Sequence, residues 1–71
     1  MTKINYPEAI LKLRAKLNLS QAELGELLGV SFSSINRWEN GVFEPTKLVK
    51  FKLKELLEQN GIVVEEDDIN G

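Results

Sequence analysis

The sequence predicts an all-α domain of four or five helices. Apolar residues recur every three or four positions in four segments, helix-capping residues precede those segments, and glycine or asparagine follows them. At 71 residues the chain has room for one small domain, which buries only about 60% of the surface of its unfolded form. We expect the compact domain to span residues 1–61, followed over residues 62–71 by an acidic tail that is flexible or forms a short strand.

The first helix is predicted to begin near Pro7 and to end near Asn18. Proline suits the first turn because its missing N–H is not needed there, and the carboxylate of Glu8 favours the positive end of the helix dipole. Its buried face is expected to carry Ile10, Leu13 and Leu17.

The second helix is predicted from a capping box, in which the Ser20 hydroxyl and the Glu23 carboxylate each accept a backbone N–H of the other residue. Gly29 ends it, because glycine tolerates a left-handed backbone. We expect Ala22 to allow close helix contact, and the buried stripe to consist of Leu24, Leu27 and Leu28.

The third helix is predicted to be capped by Ser31 and to end at Asn40-Gly41, with Ile35 and Trp38 on its inner face. The fourth is predicted to begin at Pro45 and to end at Asn60-Gly61. Its buried stripe is expected to consist of Val49, Leu53, Leu56 and Leu57.

Composition excludes most catalytic chemistry. The chain has no cysteine and no histidine, so it has no thiolate nucleophile, zinc finger, disulfide or imidazole base. Its acidic run at residues 65–68 lacks the glycine and the alternating spacing of a calcium loop. No apolar run approaches the roughly 20 residues that span a bilayer, and no signal peptide is apparent. We therefore expect a cytoplasmic protein that is not an enzyme and uses no metal or cofactor.

The charge distribution permits binding to nucleic acid. The net charge is −2, but four of the acidic residues are Glu65, Glu66, Asp67 and Asp68. Residues 1–61 therefore carry nine basic and seven acidic side chains, a net charge of +2. Where the charge lies matters more for association than its sum.

Residues 20–41 place two short helices in succession, joined by a turn that contains Gly29. This is the layout of a helix-turn-helix, whose second helix enters the major groove of DNA. The outer face of that helix is predicted to carry Phe32, Ser33, Asn36 and Arg37, where an ordinary solvated helix would carry more Glu and Lys.

Several motifs resemble the phage-repressor family of Cro-like, or XRE-type, helix-turn-helix proteins. They are Leu13-Arg14, Leu19-Ser20-Gln21-Ala22-Glu23-Leu24, Leu28-Gly29-Val30-Ser31 and Ile35-Asn36-Arg37-Trp38-Glu39-Asn40-Gly41. The resemblance covers about residues 8–48. It depends on the order of the motifs, since each alone is a weak signal.

The resemblance implies roles for eight residues. Gln21 would contact the phosphate backbone, and Asn40, with the loop up to Glu44, would contact phosphate through side chain and backbone amides. Base edges would be read by Ser31, Phe32, Ser33 and Ser34, and one turn later by Asn36 and Arg37. In base chemistry, Arg37 suits guanine, Asn36 suits adenine and Phe32 suits the methyl group of thymine.

The resemblance also implies a partly buried ion pair between Arg14 and Glu39, and Trp38 is expected in the core. Two features depart from the family. Glu44 stands in the phosphate-facing loop, where the family often has Lys or Arg, and the familiar fifth helix is replaced by a longer fourth helix and the acidic tail.

The expected function is sequence-specific binding to double-stranded DNA as a transcriptional regulator, acting as a repressor in a bacterium or phage. We expect a homodimer, at least on DNA, because one helix reads only a few base pairs. Phe51 lies about 200° around the fourth helix from Val49, which favours a partner surface there. Polymerase is a further expected partner.

Three alternatives remain at this point. An antitoxin would use the same fold and add a toxin-binding strand at Ile62-Val63-Val64. A protein-interaction module would use the frame without DNA, and Glu26, Glu44 and the acidic tail favour it. A metal-dependent hydrolase lacks the necessary His, Cys or carboxylate cluster outside the tail.

Overall fold

The computed structural model describes residues 4–63. Within this range lie four helices: α1 (Tyr6–Leu17), α2 (Gln21–Leu28), α3 (Phe32–Glu39) and α4 (Lys47–Gln59). The all-α prediction is confirmed, with four helices in the described range. Of the predicted tail, Ile62 and Val63 lie in neither helix nor strand, and the acidic residues 65–68 lie outside the described residues.

The ends of α1 and α2 follow the capping residues in the sequence. Asn18 ends α1 in the left-handed conformation, with φ 57°. Ser20 and Glu23 form both hydrogen bonds of the capping box, at 3.0 and 2.8 Å. Gly29 ends α2 with φ 77°, a conformation that glycine adopts at little cost. These predicted boundaries are confirmed.

The predicted start of α4 at Pro45 is wrong, because the helix begins at Lys47. Thr46 is the residue that caps it, its hydroxyl accepting the N–H of Val49. Pro45 is buried and lies before the cap. A proline has no N–H to leave unpaired, so it fits the end of this loop as well as it would fit a first helical turn.

Ten apolar side chains form one core: Ala9, Ile10, Leu13, Leu24, Leu28, Ile35, Trp38, Val49, Leu53 and Leu57. Helices α3 and α4 each pack against both α1 and α2. Because Ile35 and Trp38 face this core, the prediction that Trp38 is a core residue is confirmed. The packing leaves the opposite face of α3 free.

The predicted buried stripe of α2 is wrong at Leu27, which is 51% exposed, and the close helix contact predicted for Ala22 is wrong because Ala22 is exposed. The buried arc runs from Leu24 through Leu28 to Gly25, about 100° around the helix, and Leu27 lies outside it. Gly25 makes the close contact expected of Ala22. A Cβ atom there would lie 2.6 Å from the carbonyl oxygen of Val30.

No helix among residues 4–63 combines the length and the apolar character that crossing a membrane requires.

Candidate nucleic-acid interface

Helix α3 is held at its start by hydroxyl groups. Ser31 caps it, with its Oγ accepting the N–H of Ser34 at 3.3 Å. The same oxygen lies 3.1 Å from the Oγ of Ser33 and 3.3 Å from that of Ser34. Each hydroxyl both donates and accepts, so this group presents donors and acceptors together at the start of α3.

The outward face of α3 carries the residues predicted to read bases. Phe32 is 56% exposed. Ser34 is partly buried, and the other exposed residues of this face are Ser31, Ser33, Asn36, Arg37 and Asn40. The predicted exposure of Phe32, Ser33, Asn36 and Arg37 is confirmed. Their contact with DNA stays a prediction.

Two asparagines are joined at the end of α3. The side-chain Nδ2 of Asn40 donates to the backbone oxygen of Asn36 at 2.9 Å and to its Oδ1 at 3.1 Å. The backbone N–H of Asn40 donates to the same carbonyl at 3.1 Å. The side chain of Asn36 is therefore held from one side.

Arg37 has an aromatic neighbour that the sequence did not reveal. Its guanidinium carbon lies 5.9 Å from the ring centroid of Phe43, within the range of a cation–π contact. The N–H of Val42 donates to the carbonyl of Arg37 at 3.0 Å and ties this loop to the end of α3. Phe43, six residues after Arg37, was the available signal in the sequence, because a guanidinium stacks favourably on an aromatic face.

The side chain of Gln21 makes a hydrogen bond within the protein. Its Nε2 donates to Oε1 of Glu39 at 2.9 Å, and the residue is partly buried. The backbone N–H groups of Gln21 and Ala22 begin α2 and form no hydrogen bond within residues 4–63. Phosphate contact at this position stays a prediction, and these two N–H groups are available to it.

The ion pair between Arg14 and Glu39 is confirmed. Arg14 Nη1 lies 2.8 Å from Glu39 Oε2, and the two side chains are 25% and 9% exposed. Arg14 Nε also donates to the carbonyl of Leu19 at 3.0 Å. One pair thus connects α1, the turn before α2, and α3.

The negative charge of the loop after α3, on Glu44, is paired with a lysine of α4. Lys50 Nζ lies 2.9 Å from Glu44 Oε1, and this hydrogen bond raises the pKa of Lys50 above its ordinary value. Glu44 was the departure from the family that weakens phosphate binding. Its pairing with a lysine reduces the repulsion.

Charge across the helix-turn-helix is nevertheless negative. Residues 20–44 contain one basic side chain, Arg37, and four acidic ones, Glu23, Glu26, Glu39 and Glu44, a net charge of −3. Two of the acids are paired with cations from α1 and α4. With Arg37 as its one basic side chain, this segment could neutralise few phosphates of a bound nucleic acid.

The geometry is that of a helix-turn-helix protein: a capped second helix, a tight glycine turn and a third helix with an exposed polar face. A family model described as helix-turn-helix matches residues 10–58, more than half of the chain. The chain belongs to this family, the XRE-type helix-turn-helix proteins. No curated protein and no solved structure shows a significant similarity to it.

Proposed function

We propose that the chain binds double-stranded DNA in a sequence-specific manner and represses transcription. Family membership supports a DNA-binding regulator. Sequence-specific binding is supported mainly by the two faces of α3. Ile35 and Trp38 form its buried face, and its exposed face carries side chains that can form hydrogen bonds. A helix anchored in this way enters a major groove as a rigid body. The protein would then act in the cytoplasm of a bacterium or in a phage-infected cell.

Different groups serve affinity and specificity in this proposal. The free N–H groups at the start of α2, with the positive end of its dipole, suit a phosphate oxygen. Phosphate contacts set the register of α3 on the duplex, and Ser31, Phe32, Ser33, Ser34, Asn36 and Arg37 contact base edges. Arg37, held near the Phe43 ring, is positioned for bidentate contact with guanine.

Replacing Arg37 with alanine should weaken binding to the preferred site by about 5- to 150-fold and leave binding to mixed DNA nearly unchanged. The reason is that a bidentate contact with guanine contributes about 1–3 kcal/mol of discrimination. Fluorescence anisotropy with a site selected from random DNA and with mixed DNA measures both affinities. Lys16→Ala is the matched control, because Lys16 is exposed on α1, outside both the outward face of α3 and the proposed dimer face of α4.

The same titrations at several salt concentrations separate DNA binding from a protein-interaction module. Binding to DNA should weaken as salt rises, with a log–log slope set by the number of neutralised phosphates. Affinity that does not change with salt, or an Arg37→Ala variant that still distinguishes the selected site, would contradict the proposal.

We also propose that the protein acts as a homodimer through the outer face of α4. Phe51 is 60% exposed and Leu48 is 64% exposed on this helix, away from the buried Val49, Leu53 and Leu57. Large apolar side chains that lie together on a surface favour a protein partner. A second copy is the partner that the charges favour.

The charges of α4 are self-complementary in an antiparallel pair. Its first eight residues carry Lys47, Lys50, Lys52 and Lys54, and its remaining five carry Glu55 and Glu58. If Phe51 meets Phe51 of the second copy, Lys47 lies beside Glu55 of that copy, since each is four residues from Phe51. Antiparallel helix dipoles also attract.

Phe51→Ser should weaken self-association at least about tenfold, because each copy loses an apolar side chain whose burial contributes roughly 1.5–3 kcal/mol. Sedimentation equilibrium over a range in which the parent forms dimers measures this. Val42→Ser is the control, since Val42 is equally exposed at 61% but lies in the loop before α4. A Phe51→Ser protein that sediments like the parent would show that the interface lies elsewhere.

The segment expected to form a toxin-binding strand, residues 62–64, gives the antitoxin alternative little support. Ile62 packs against the core, so it is not free for a partner, and Val63 is 76% exposed. Val64 lies outside the described residues.

A further inference from the structure

The two asparagines at the end of α3 form a chain of hydrogen bonds that begins at a backbone carbonyl. Asn40 donates through Nδ2 to the carbonyl oxygen of Asn36, at 2.9 Å, and to its side-chain Oδ1, at 3.1 Å. Asn40 is also the C-terminal cap of α3, and its backbone N–H bonds to the same carbonyl. Both its backbone and its side chain are thus tied to Asn36.

The chemistry of this chain defines the orientation of both amides. A backbone carbonyl only accepts hydrogen bonds, so the Asn40 group in contact with it must be the NH₂ and not the oxygen. The Asn36 atom that faces this NH₂ must then be an acceptor, which is its Oδ1. The NH₂ of Asn36 is consequently the end of the side chain that Asn40 leaves free.

We propose that Asn40 is a positioning residue that makes Asn36 a hydrogen-bond donor to DNA. This inference rests on the proposed function, since it assigns a base preference to one residue of the same interface. In the major groove, guanine presents two acceptors at N7 and O6, and thymine presents one at O4. Cytosine presents only the N4 donor, and adenine presents a donor beside its acceptor.

Asn36 therefore favours guanine, thymine or adenine, each of which presents an acceptor, and disfavours cytosine, which presents only a donor. The Oδ1 of Asn36 keeps a second lone pair beside the bond from Asn40, so a bidentate contact with adenine stays open as well. The NH₂ of Asn40 is engaged within α3, so its side chain acts on DNA through Asn36 and not by donating to phosphate. Exclusion of water on binding strengthens both hydrogen bonds.

Selection of preferred sites from random DNA tests this inference with four proteins: the parent, Asn36→Ala, Asn40→Ala and Asn40→Asp. The base pair that loses its preference in Asn36→Ala identifies the position that Asn36 reads. At that position we expect the parent to disfavour cytosine about tenfold relative to the other three bases. In Asn40→Ala both amide orientations become accessible, and the preference should fall to about twofold or less.

Asn40→Asp is the stronger test, because a carboxylate accepts where the amide donates. Asp at this position favours the opposite orientation of Asn36, with its NH₂ toward Asp and its oxygen toward DNA. The preference should move toward cytosine, which presents only a donor. A structural role of Asn40 alone would lower affinity for all sites equally and leave the preferred base unchanged. Circular dichroism confirms that each variant is folded.

The outcomes separate this inference from the proposal on which it rests. A parent protein that enriches no sequence overturns the proposed function, and this inference with it. A parent that enriches a site with cytosine at the Asn36 position, or whose base preference there is unchanged in both Asn40 variants, overturns the inference alone.

Discussion

Glu39→Ala should lower the free energy of unfolding by up to about 3–5 kcal/mol, the cost of removing one partner of a fully buried ion pair, since this pair is partly buried. The carboxylate of Glu39 accepts from Arg14 at 2.8 Å and from Gln21 at 2.9 Å. Its loss leaves a largely buried guanidinium without its anion and an amide without its acceptor. A domain of this size has a total stability of only about 4–11 kcal/mol. Denaturation with urea, followed by circular dichroism, measures the change.

The pair between Glu8 and Lys12 is the matched control. Its charges lie 2.9 Å apart, like those of Arg14 and Glu39, but its side chains are 49% and 48% exposed. Exposed pairs of this spacing contribute about 0.3–0.5 kcal/mol, so Lys12→Ala should cost little. If Glu39→Ala costs no more than Lys12→Ala, the pair does not stabilise the arrangement of α1 and α3. Adding Arg14→Ala to Glu39→Ala should cost less than the sum of the single changes, because the two residues interact.

Gly25→Ala should destabilise the protein by about 1–3 kcal/mol, although alanine favours a helix interior over glycine by about 1 kcal/mol. The new Cβ atom would lie 2.6 Å from the carbonyl oxygen of Val30 and 3.3 Å from the carbonyl carbon of Ser31. Both are backbone atoms, which cannot rotate away as a side chain would. The turn must therefore move away from α2, and α3 with it.

Two measurements check this prediction, urea denaturation and the backbone amide chemical shifts of residues 30–34. Glu26→Ala, at the exposed neighbouring position of α2, should change stability by less than about 0.5 kcal/mol. A Gly25→Ala protein as stable as the parent would mean that the glycine is not needed for the close approach of the turn.

Helix boundaries were the most predictable part of the fold. Capping residues act on backbone groups within a few residues of themselves, so their effect can be inferred from local sequence. Here they are Asn18, Gly29 and the pair formed by Ser20 and Glu23. Pro45 misled the prediction because proline fits both a first helical turn and the residues before a cap. The hydroxyl of Thr46 was the better signal for the start of α4.

The candidate site was predictable to the level of which face of α3 is exposed. Ile35 and Trp38 define the inner face by their spacing, and Asn36 and Arg37 must then point outward. The contacts of these outward residues were not predictable. The contact of Arg37 with Phe43 depends on the path of the loop after α3, and that of Gln21 with Glu39 depends on how α2 and α3 pack. No local sequence pattern encodes either geometry.

The exposure of Leu27 has the same origin. Three leucines at helical spacing satisfy a buried stripe, and their spacing does not show that the buried arc turns toward Gly25 instead. That direction depends on how closely the turn at Val30 approaches α2. The glycine inside a helix was the available signal, since it is costly there unless packing requires it.

What the amino-acid sequence determined by itself was the set of four helices, the N-terminal caps of α2 and α3 and the outward face of α3, because hydrogen bonds and apolar spacing within a few residues decide them. The tertiary structure alone decided that Asn36 is held by Asn40, that Arg37 lies near Phe43 and that Gly25 admits the turn. Side-chain orientation, loop placement and the approach of one helix to another depend on the packing of the whole core.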